Sequence, residues 1–406
     1  SLLVCEGGRK AALMVKIMFS EKELFYKDAY LKECDTKVVS CVKDKDVYKV
    51  ILEETIFYPE GGGQSSDLGM INDAKVTNVK RENDEIVHYV DKPLNINENV
   101  HLKIDWNRRF DHMQNHTGEH ILSGTIHKLY GYENVGFHMD EEKIQADYDG
   151  VLKEEDIEKI EFLINDAIHQ NIPVVESYPD NQELEKLEFR SKKELSGKVR
   201  IISIDDVDIC ACCGTHVKTT AEVNLIKILS FEKHKTGTRI EMKCGNRALK
   251  DYCMIQKQNT ALYQMFSVQS DGVYKAVEKQ NEQLLTLQKQ FINLSNQYLK
   301  ERALNKQEND YLYDILEYPF TMQSIREYAN ALSEKASIVC VVAKKDEDSY
   351  LYLLTSKKEN VTEVSKKINK LLNGKGGGKN NYAQGSINTE SKDLSKILED
   401  ILKESR

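Results

Sequence analysis

Short runs in which apolar and polar residues alternate fill the chain from Lys16 to about Asp105, with Asn, Asp and Gly between them. Alternation with a period of two places the apolar side chains on one face of a β-strand. The pattern predicts a small antiparallel barrel or sandwich, assigned here as a β-barrel over residues 14–104. Residues 1–13 show no period, and we expect them to be an extension that takes no part in the fold.

Residues 105–247 combine two periods and are predicted to form an α+β domain. Apolar residues at helical spacing predict helices near residues 107–130 and 154–170. Apolar runs at 199–204 and 225–231 instead indicate strands.

The next segment, residues 248–320, is predicted to be a helical linker. Its apolar residues recur at spacings of roughly three and four, as Val277, Leu284, Leu287, Phe291, Leu294 and Tyr298. This spacing is typical of a short coiled coil or of a helical hairpin within one chain. We expect a homodimer through residues 270–300.

Residues 321–406 alternate strand and helix patterns and predict a C-terminal α/β domain, so the fold class is α+β and multidomain.

Charge and composition narrow the functional classes. The 406 residues carry 57 Lys and Arg against 66 Asp and Glu, a formal charge of −9, which excludes a protein that is basic throughout. No apolar run is long enough for a membrane span, and charged residues interrupt the N-terminal stretch. Most of the nine cysteines are scattered, which does not resemble a disulfide framework. We therefore expect a cytoplasmic protein with no membrane partner.

Two pairs of candidate metal ligands share one spacing. His116 and His120 lie four apart in HTGEH, on one face of a predicted helix, and Cys212 and His216 lie four apart in CCGTH. Imidazole and thiolate ligands together favour zinc over magnesium or calcium. Both pairs together predict one shared zinc ion, although either pair alone could be coincidence. HTGEH is not the HExxH sequence of zinc proteases.

The sequence alone leaves several points about this metal site open. Cys210 and Cys213 flank Cys212, and spacing alone does not decide which thiolate binds the ion. His112 extends the histidine series, but we expect it to face solvent or to cap a helix. Four protein ligands complete a tetrahedral site, whereas hydrolytic zinc usually keeps one position open.

A glycine-rich segment offers a second kind of site. Three consecutive glycines, 61–63, precede Gln64 and predict a loop whose backbone amides are accessible to a polar ligand. An ordinary hairpin turn explains the same residues.

In chain order, these motifs resemble those of the alanyl-tRNA editing proteins, in particular the long stand-alone AlaX type, and the editing domain of alanyl-tRNA synthetases. FYPEGGGQ, HTGEH, GFHM, CCGTH and CGNRAL carry the resemblance, and GGG followed by AQG resembles the end of the synthetases' DHH-associated domain. The resemblance covers nearly the whole chain from about residue 15. One departure is Cys213, which stands where the family usually has glycine.

The resemblance implies hydrolysis of seryl- or glycyl-tRNA(Ala), with zinc held by His116, His120, Cys212 and His216. It implies catalytic roles for His116, His120 and Gln64. It also implies substrate contacts from the residues Gly62, Gly63, Gln64 and His138. Nucleotide binding, ATP included, is a further expectation. The synthetase's aminoacylation domain has no counterpart, which argues against an alanine ligase.

An acidic protein can bind tRNA through a local basic surface, because phosphate contacts act over about 8 Å. Residues 335–379 contain ten Lys and five acidic residues. We therefore expect the C-terminal domain to contact tRNA, through Lys366, Lys367, Lys375 and Lys379. The alternative function is a tRNA-binding or dimerisation protein whose zinc is purely structural. A nucleotide-dependent phosphoesterase is disfavoured, because the chain lacks the required Asp and His cluster.

Overall fold

A computed structural model of the chain describes residues 15–17, 20–191, 195–197, 199–346, 349–388 and 393–404. The extension predicted at residues 1–13 lies outside these ranges. Two compact units divide the chain, one ending at Gln258 and the other beginning at Asn259. Among the described residues, no helix combines the length and apolar character needed to cross a membrane.

The first unit begins with a closed six-stranded barrel, which confirms the predicted N-terminal β-barrel. The strand β1 (Val15–Ile17) and a short helix α1 (Leu24–Lys27) precede it. The barrel strands are β2 (Glu33–Asp44), β3 (Val47–Leu52), β4 (Gly69–Ile71), β5 (Ala74–Glu82), β6 (Glu85–Val90) and β7 (Asn99–Ile104). They close in the order β2-β3-β6-β5-β4-β7. The alternation of apolar and polar residues in the sequence matches the burial of the strands. In β7, for example, every second residue from Val100 to Ile104 is buried.

The rest of the first unit packs two sheets against two long helices. Its elements are α2 (Trp106–Tyr130), β8 (Asn134–Met139), β9 (Ile144–Tyr148), α3 (Glu154–His169), β10 (Val174–Ser177), α4 (Asn181–Leu184), β11 (Leu195–Gly197), β12 (Ile201–Ile204), β13 (Asp208–Ala211), β14 (Ile226–His234) and β15 (Gly237–Cys244). One sheet has the order β14-β15-β9-β8 and the other β10-β12-β13, while β11 pairs in parallel with β1. The barrel and this α+β part have separate cores within the same compact unit.

Helix α2 occupies the centre of the first unit. It begins where the Asp105 side chain accepts a hydrogen bond from the backbone N–H of Arg108, and it ends at Gly131 in the left-handed conformation. All residues from Met113 to Gly124 are buried, including many polar ones. Buried polar groups need hydrogen-bond partners, so this helix requires polar contacts from the elements around it.

The second unit is a five-stranded sheet between two pairs of helices. Helix α5 (Gly245–Phe266) begins in the first unit and leads into α6 (Val273–Leu304), β16 (Tyr311–Leu316), α7 (Met322–Leu332), β17 (Ile338–Lys344), β18 (Ser349–Ser356), α8 (Thr362–Leu371), β19 (Lys375–Lys379), β20 (Tyr382–Asn388) and α9 (Leu394–Lys403). The sheet order is β16-β17-β18-β20-β19, and only β16 and β17 pair in parallel. One face packs on α8 and α9, and the other on α6 and α7.

One boundary of this unit differs from the sequence-based assignment. Residues 311–316, placed in the helical linker of residues 248–320, form the strand β16: they pair in parallel with β17, and their side chains alternate between the two helix-covered faces of the sheet. The sheet therefore begins before the predicted boundary at residue 321. The glycines at 376–378 lie in a strand, the sheet edge β19. The apolar series on α6 is largely exposed, and its pairing into a coiled coil stays a prediction.

A buried ion pair joins the barrel to α2. Arg109 and Asp67 are both fully buried, and the guanidinium contacts both carboxylate oxygens. Arg109 also donates to the carbonyls of Ala29 at 2.8 Å and Ile56 at 2.6 Å. The backbone N–H of Tyr58 donates to the same carboxylate at 2.6 Å. The pair is thus fully hydrogen-bonded, which is the condition under which a buried ion pair is tolerated.

Replacing Arg109 by Met should therefore leave the Asp67 carboxylate buried without its counter-ion. We expect the free energy of unfolding to fall by about 3–5 kcal/mol. Urea denaturation followed by fluorescence of Trp106, the one tryptophan of the chain, measures this. Arg108→Met is the matched control: Arg108 pairs with the exposed Glu141 and donates to the carbonyl of Ser66, so its removal leaves no buried charge unpaired and should cost less, about 1–2 kcal/mol. Equal losses for the two variants would contradict this assignment.

The barrel should also lose stability in acid through His88. This ring is fully buried, with Nε2 2.8 Å from Thr55 Oγ1 and Nδ1 3.1 Å from the Val50 carbonyl. Burial lowers the pKa of His88 to about 4, below the ordinary 6.5. The neutral ring thus stabilises the fold above pH 6.5, and this contribution, about 3 kcal/mol, is lost as the pH falls towards 4. The difference in unfolding free energy between wild type and His88→Gln should shrink over this range. A pH-independent difference would be the contrary result.

Candidate metal centre

The four predicted ligands meet in the interior of the first unit. Successive turns of α2 present His116 and His120, and the loop after β13 presents Cys212 and His216. One ligand atom from each lies within 4.8 Å of the others. The Sγ of Cys212 is 3.3 Å from Nε2 of His116 and 3.5 Å from Nε2 of His216. Two segments about a hundred residues apart in the sequence therefore form one cluster.

The Nδ1 atom of each of the three imidazoles is hydrogen-bonded to a neighbouring side chain. Gln64 Oε1 lies 2.9 Å from Nδ1 of His116, and Asp208 Oδ2 lies 2.9 Å from Nδ1 of His120. For His216 the partner is the Oγ1 of Thr117, at 3.1 Å. With Nδ1 engaged, the Nε2 atoms are left to point at a shared ion. This is the arrangement typical of metal-binding histidines.

The charge state of the cluster also suits a metal ion. Burial alone raises the pKa of Cys212, but the charges and hydrogen bonds of His116 and His120 outweigh it and hold that pKa well below its ordinary value. These contacts favour the thiolate of Cys212, the form of cysteine that binds metals. Burial lowers the pKa of His216 to about 3, so this ring is neutral, as a ligand must be.

The behaviour of His120 depends on Asp208. Burial lowers the pKa of His120, but the charges of Cys212 and Asp208 outweigh burial and raise it to about 9. Arg190 binds Asp208 through two N–H groups, at 2.7 and 2.8 Å. Although burial raises the pKa of Asp208, its bonds to His120 and Arg190 keep it below the usual range. An ion would displace a proton from His120, as expected for a site whose ligands are protonated before loading.

The three neighbouring cysteines, Cys210, Cys212 and Cys213, have different surroundings in the structure. Burial raises the pKa of Cys210, which keeps it a thiol, and it groups with His120 and Asp208 on the far side of that ring. Among the described residues, Cys213 belongs to neither candidate group of ligands. The thiolate at Cys212 thus fits the cluster best, which sequence spacing alone left open.

The glycine turn forms a wall beside the cluster. Gly61 and Gln64 exchange backbone hydrogen bonds of 3.0 and 2.9 Å, while Gly62 and Gly63 have φ of 59° and 84°. A Cβ on Gly63 would lie 2.3 Å from the ring of Phe137, so only glycine fits there. The Phe137 ring in turn lies 5.5 Å from the ring of His116, centre to centre.

Gln64, predicted to be catalytic and to contact substrate, lies beside His116. Its side chain is 1% exposed and bonds to His116 and to both the backbone N–H and the hydroxyl of Thr215. These contacts make Gln64 a residue that orients a ligand. Contact between Gln64 and substrate stays a prediction.

Two other histidines are not brought to the cluster. His138 is exposed on β8, on the face opposite Phe137, and its contact with substrate stays a prediction. For His112, the expectation of a surface or capping position is wrong. It is 2% exposed in the interior of α2, and burial together with the charges of Arg108 and Arg247 lowers its pKa to about 3.

The proposed tRNA-binding lysines all lie in the second unit. On α8, Lys366 is 2.8 Å from Glu363 and Lys367 is 3.4 Å from Glu404. Lys375 and Lys379 are exposed at the two ends of β19. Lys335, part of the basic count, instead donates to the carbonyls of Ala303, Leu304 and Lys306 and so caps α6.

The residues that orient the ligands carried no spacing signal in the sequence. Asp208, Arg190 and Thr117 become relevant only once β13 and the CCGTH loop pack on α2. A weak signal existed for Thr117, which lies between the two ligand histidines.

Comparison with known proteins identifies three matching families. Residues 199–241 match the threonyl and alanyl tRNA synthetase second additional domain, and residues 308–404 match the DHHA1 domain. Residues 11–108 match the class II (A) tRNA synthetases.

Individual relatives match over most of this chain. The chain is 32% identical to the alanyl-tRNA editing protein AlaX-L of Pyrococcus horikoshii, over 92% of this chain and 96% of that protein. It is 30% identical to the alanyl-tRNA editing protein Aarsd1 of Danio rerio, over 89% of this chain and 93% of that one. The match to the alanine–tRNA ligase of Pyrococcus abyssi, also 30% identical, covers 96% of this chain but 44% of the ligase.

The bond from His120 to Asp208 can be tested by metal affinity. Asn in place of Asp208 keeps the shape but turns an amide N–H₂ towards either His120 or Arg190, both of which are donors. We expect Asp208→Asn to weaken Zn²⁺ binding by about 10–100-fold, measured by chelator competition. Asp206→Asn, two residues away with a 94% exposed side chain, is the control. Unchanged affinity in a folded Asp208→Asn protein would refute the role assigned to this bond.

Proposed function

The chain belongs to the alanyl-tRNA editing proteins, and we propose on this basis that it hydrolyses seryl- or glycyl-tRNA(Ala) in a zinc-dependent reaction. Proteins of this family are deacylases of mischarged aminoacyl-tRNA. The observation that carries the proposal is the convergence of three imidazole Nε2 atoms and one thiolate, each imidazole fixed from behind.

The donor set fits zinc. Nitrogen and thiolate ligands in a buried cluster are the preference of this ion, whereas Mg²⁺ and Ca²⁺ take oxygen ligands. His116, His120 and His216 would bind through Nε2, and Cys212 through Sγ. When bound, zinc supplies positive charge that can polarise an ester carbonyl or orient the terminal ribose.

The residues around the cluster would shape the pocket for the aminoacyl end. Phe137 and the turn of Gly62 and Gly63 adjoin His116, where they can exclude bulk water from the ester. Backbone amides of the turn are candidate donors to the amino acid or the terminal adenosine. Gln64 holds His116 in its orientation, so its catalytic contribution is indirect in this proposal.

Contact with tRNA is assigned to the second unit. Lys375 and Lys379 are the better candidates, because they are exposed on the sheet edge, whereas Lys366 and Lys367 lie beside acidic residues. A basic edge contributes phosphate contacts without sequence reading. Dimer formation, cytoplasmic location and binding of nucleotides or ATP stay predictions.

One observation favours the alternative, a tRNA-binding protein with a purely structural zinc. The four ligands would complete a tetrahedral site, and closed four-ligand sites are typical of structural zinc. The two functions differ in what ligand removal does to the fold and to hydrolysis.

Single ligand substitutions separate them. We expect His116→Ala and Cys212→Ala to keep the fold and to reduce release of serine from seryl-tRNA(Ala) by about 100-fold or more, as loss of a metal ligand disables metal-assisted hydrolysis. Circular dichroism checks the fold. His127→Ala, on the exposed end of α2, and Cys253→Ala, on exposed α5, are matched controls. Unfolding of both ligand variants would favour the structural zinc, and retained hydrolysis would contradict the proposal.

A further inference from the structure

Three successive carbonyls of the CCGTH loop are bonded by two side chains from outside the cluster. Arg200 Nη1 donates to the carbonyl of Cys212 at 3.1 Å and to that of Gly214 at 2.8 Å. Between them, the hydroxyl of Tyr26 donates to the carbonyl of Cys213 at 3.0 Å. All three carbonyls thus have side-chain partners, which restricts the backbone of this loop.

The two donors are themselves fixed. Arg200, just before β12, is 2% exposed, and its Nη2 pairs with Glu176 on β10. Its guanidinium lies 5.2 Å from the ring centre of Tyr26. Tyr26 belongs to α1, which precedes the barrel. The loop is therefore held between the N-terminal segment and the sheet of β10, β12 and β13.

Because the peptide group is planar, a hydrogen bond that fixes a carbonyl also fixes the direction of the following N–H. In a trans peptide the carbonyl and the following N–H point in opposite directions. The hydrogen bond from Tyr26 points the Cys213 carbonyl away from the cluster. The N–H of Gly214 therefore points towards the cluster, with its nitrogen 3.3 Å from the Sγ of Cys212. Arg200 draws the Gly214 carbonyl outward in the same way, so the N–H of Thr215 points at Gln64 Oε1, at 3.2 Å.

Each chain of contacts ends at one metal ligand. The first runs from Tyr26 through the Gly214 amide to the thiolate of Cys212. The second runs from Arg200 through the Thr215 amide to Gln64, which binds Nδ1 of His116. A Cβ on Gly214 would lie 2.0 Å from Cε1 of His116, so the loop has no room to move towards the rings.

We propose that Tyr26 and Arg200 are positioning residues, which set the orientation of the Cys212 thiolate and of His116 by fixing the peptide planes of residues 212–215. This rests on the proposed function of the cluster as a metal site. Neither residue is a ligand in the proposal. Their removal should therefore change the affinity and the ligand field of the site while the ligands themselves stay intact.

Cobalt is the probe for this inference. Co²⁺ in a thiolate-containing site gives a thiolate-to-metal charge-transfer band and visible bands that report on geometry. We expect Arg200→Met to weaken Co²⁺ and Zn²⁺ binding by about 10–100-fold and to alter the charge-transfer band. Tyr26→Phe, which removes one hydroxyl and keeps the ring, should have the same effect at the lower end of that range. Arg200→Lys should restore binding in part, since Lys can donate to the loop but lacks the planar fork.

Matched variants control for the loss of an equivalent side chain elsewhere. Tyr89→Phe removes a hydroxyl bonded to Glu82, and Arg239→Met removes a guanidinium paired with Asp147. Both should leave metal affinity and the cobalt spectrum unchanged. Thermal unfolding of every apoprotein shows whether a variant is folded.

Wild-type affinity and an unchanged cobalt spectrum in folded Tyr26→Phe and Arg200→Met would overturn the inference. If Arg200→Met does not fold, Tyr26→Phe decides alone. Failure of the proposed function has a different signature. A wild-type protein that binds cobalt and does not hydrolyse seryl-tRNA(Ala) would refute editing and leave the positioning result readable.

Discussion

The hydrogen bond from Nδ1 of each ligand histidine to a neighbouring side chain is the constraint on which the site depends. A hydrogen bond at one nitrogen fixes the tautomer and the orientation in which an imidazole offers its other nitrogen to a shared ion, and Gln64, Asp208 and Thr117 each hold one ring. These partners come from the barrel, from β13 and from α2 itself. The cluster therefore exists only when the barrel, the sheet and the helix are packed together.

This dependence explains why the barrel belongs to the same compact unit as the ligands. Gln64 lies in a barrel loop and orients His116, and Asp67 in the same loop forms the buried ion pair with Arg109 of α2. Tyr26, ahead of the barrel, bonds to the CCGTH loop. A barrel that folded apart from α2 would leave the ligand rings without their orienting partners. The barrel thus contributes to the chemistry of the site as well as to the fold.

Sequence patterns predicted those features that depend on local periodicity. The barrel follows from alternating residues, and the two ligand pairs follow from a spacing of four. Contacts between distant segments have no such pattern, which is why Asp208, Arg200 and the orienting role of Gln64 were missed. The glycines of β19 likewise have no local preference for a strand. Pairing of Gly376 with Gly385 places two glycines side by side, and the ladder of backbone bonds outweighs their weak preference for strand.

The most direct test of a zinc-dependent editing site is reconstitution of the whole chain. Protein stripped of metal by a chelator is titrated with Zn²⁺, and release of serine from seryl-tRNA(Ala) is measured at each step. We expect hydrolysis to be absent from the stripped protein and to rise in proportion to zinc, to a plateau at one ion per chain. Full hydrolysis by the stripped protein, or zinc binding at this stoichiometry without any hydrolysis, would contradict this expectation.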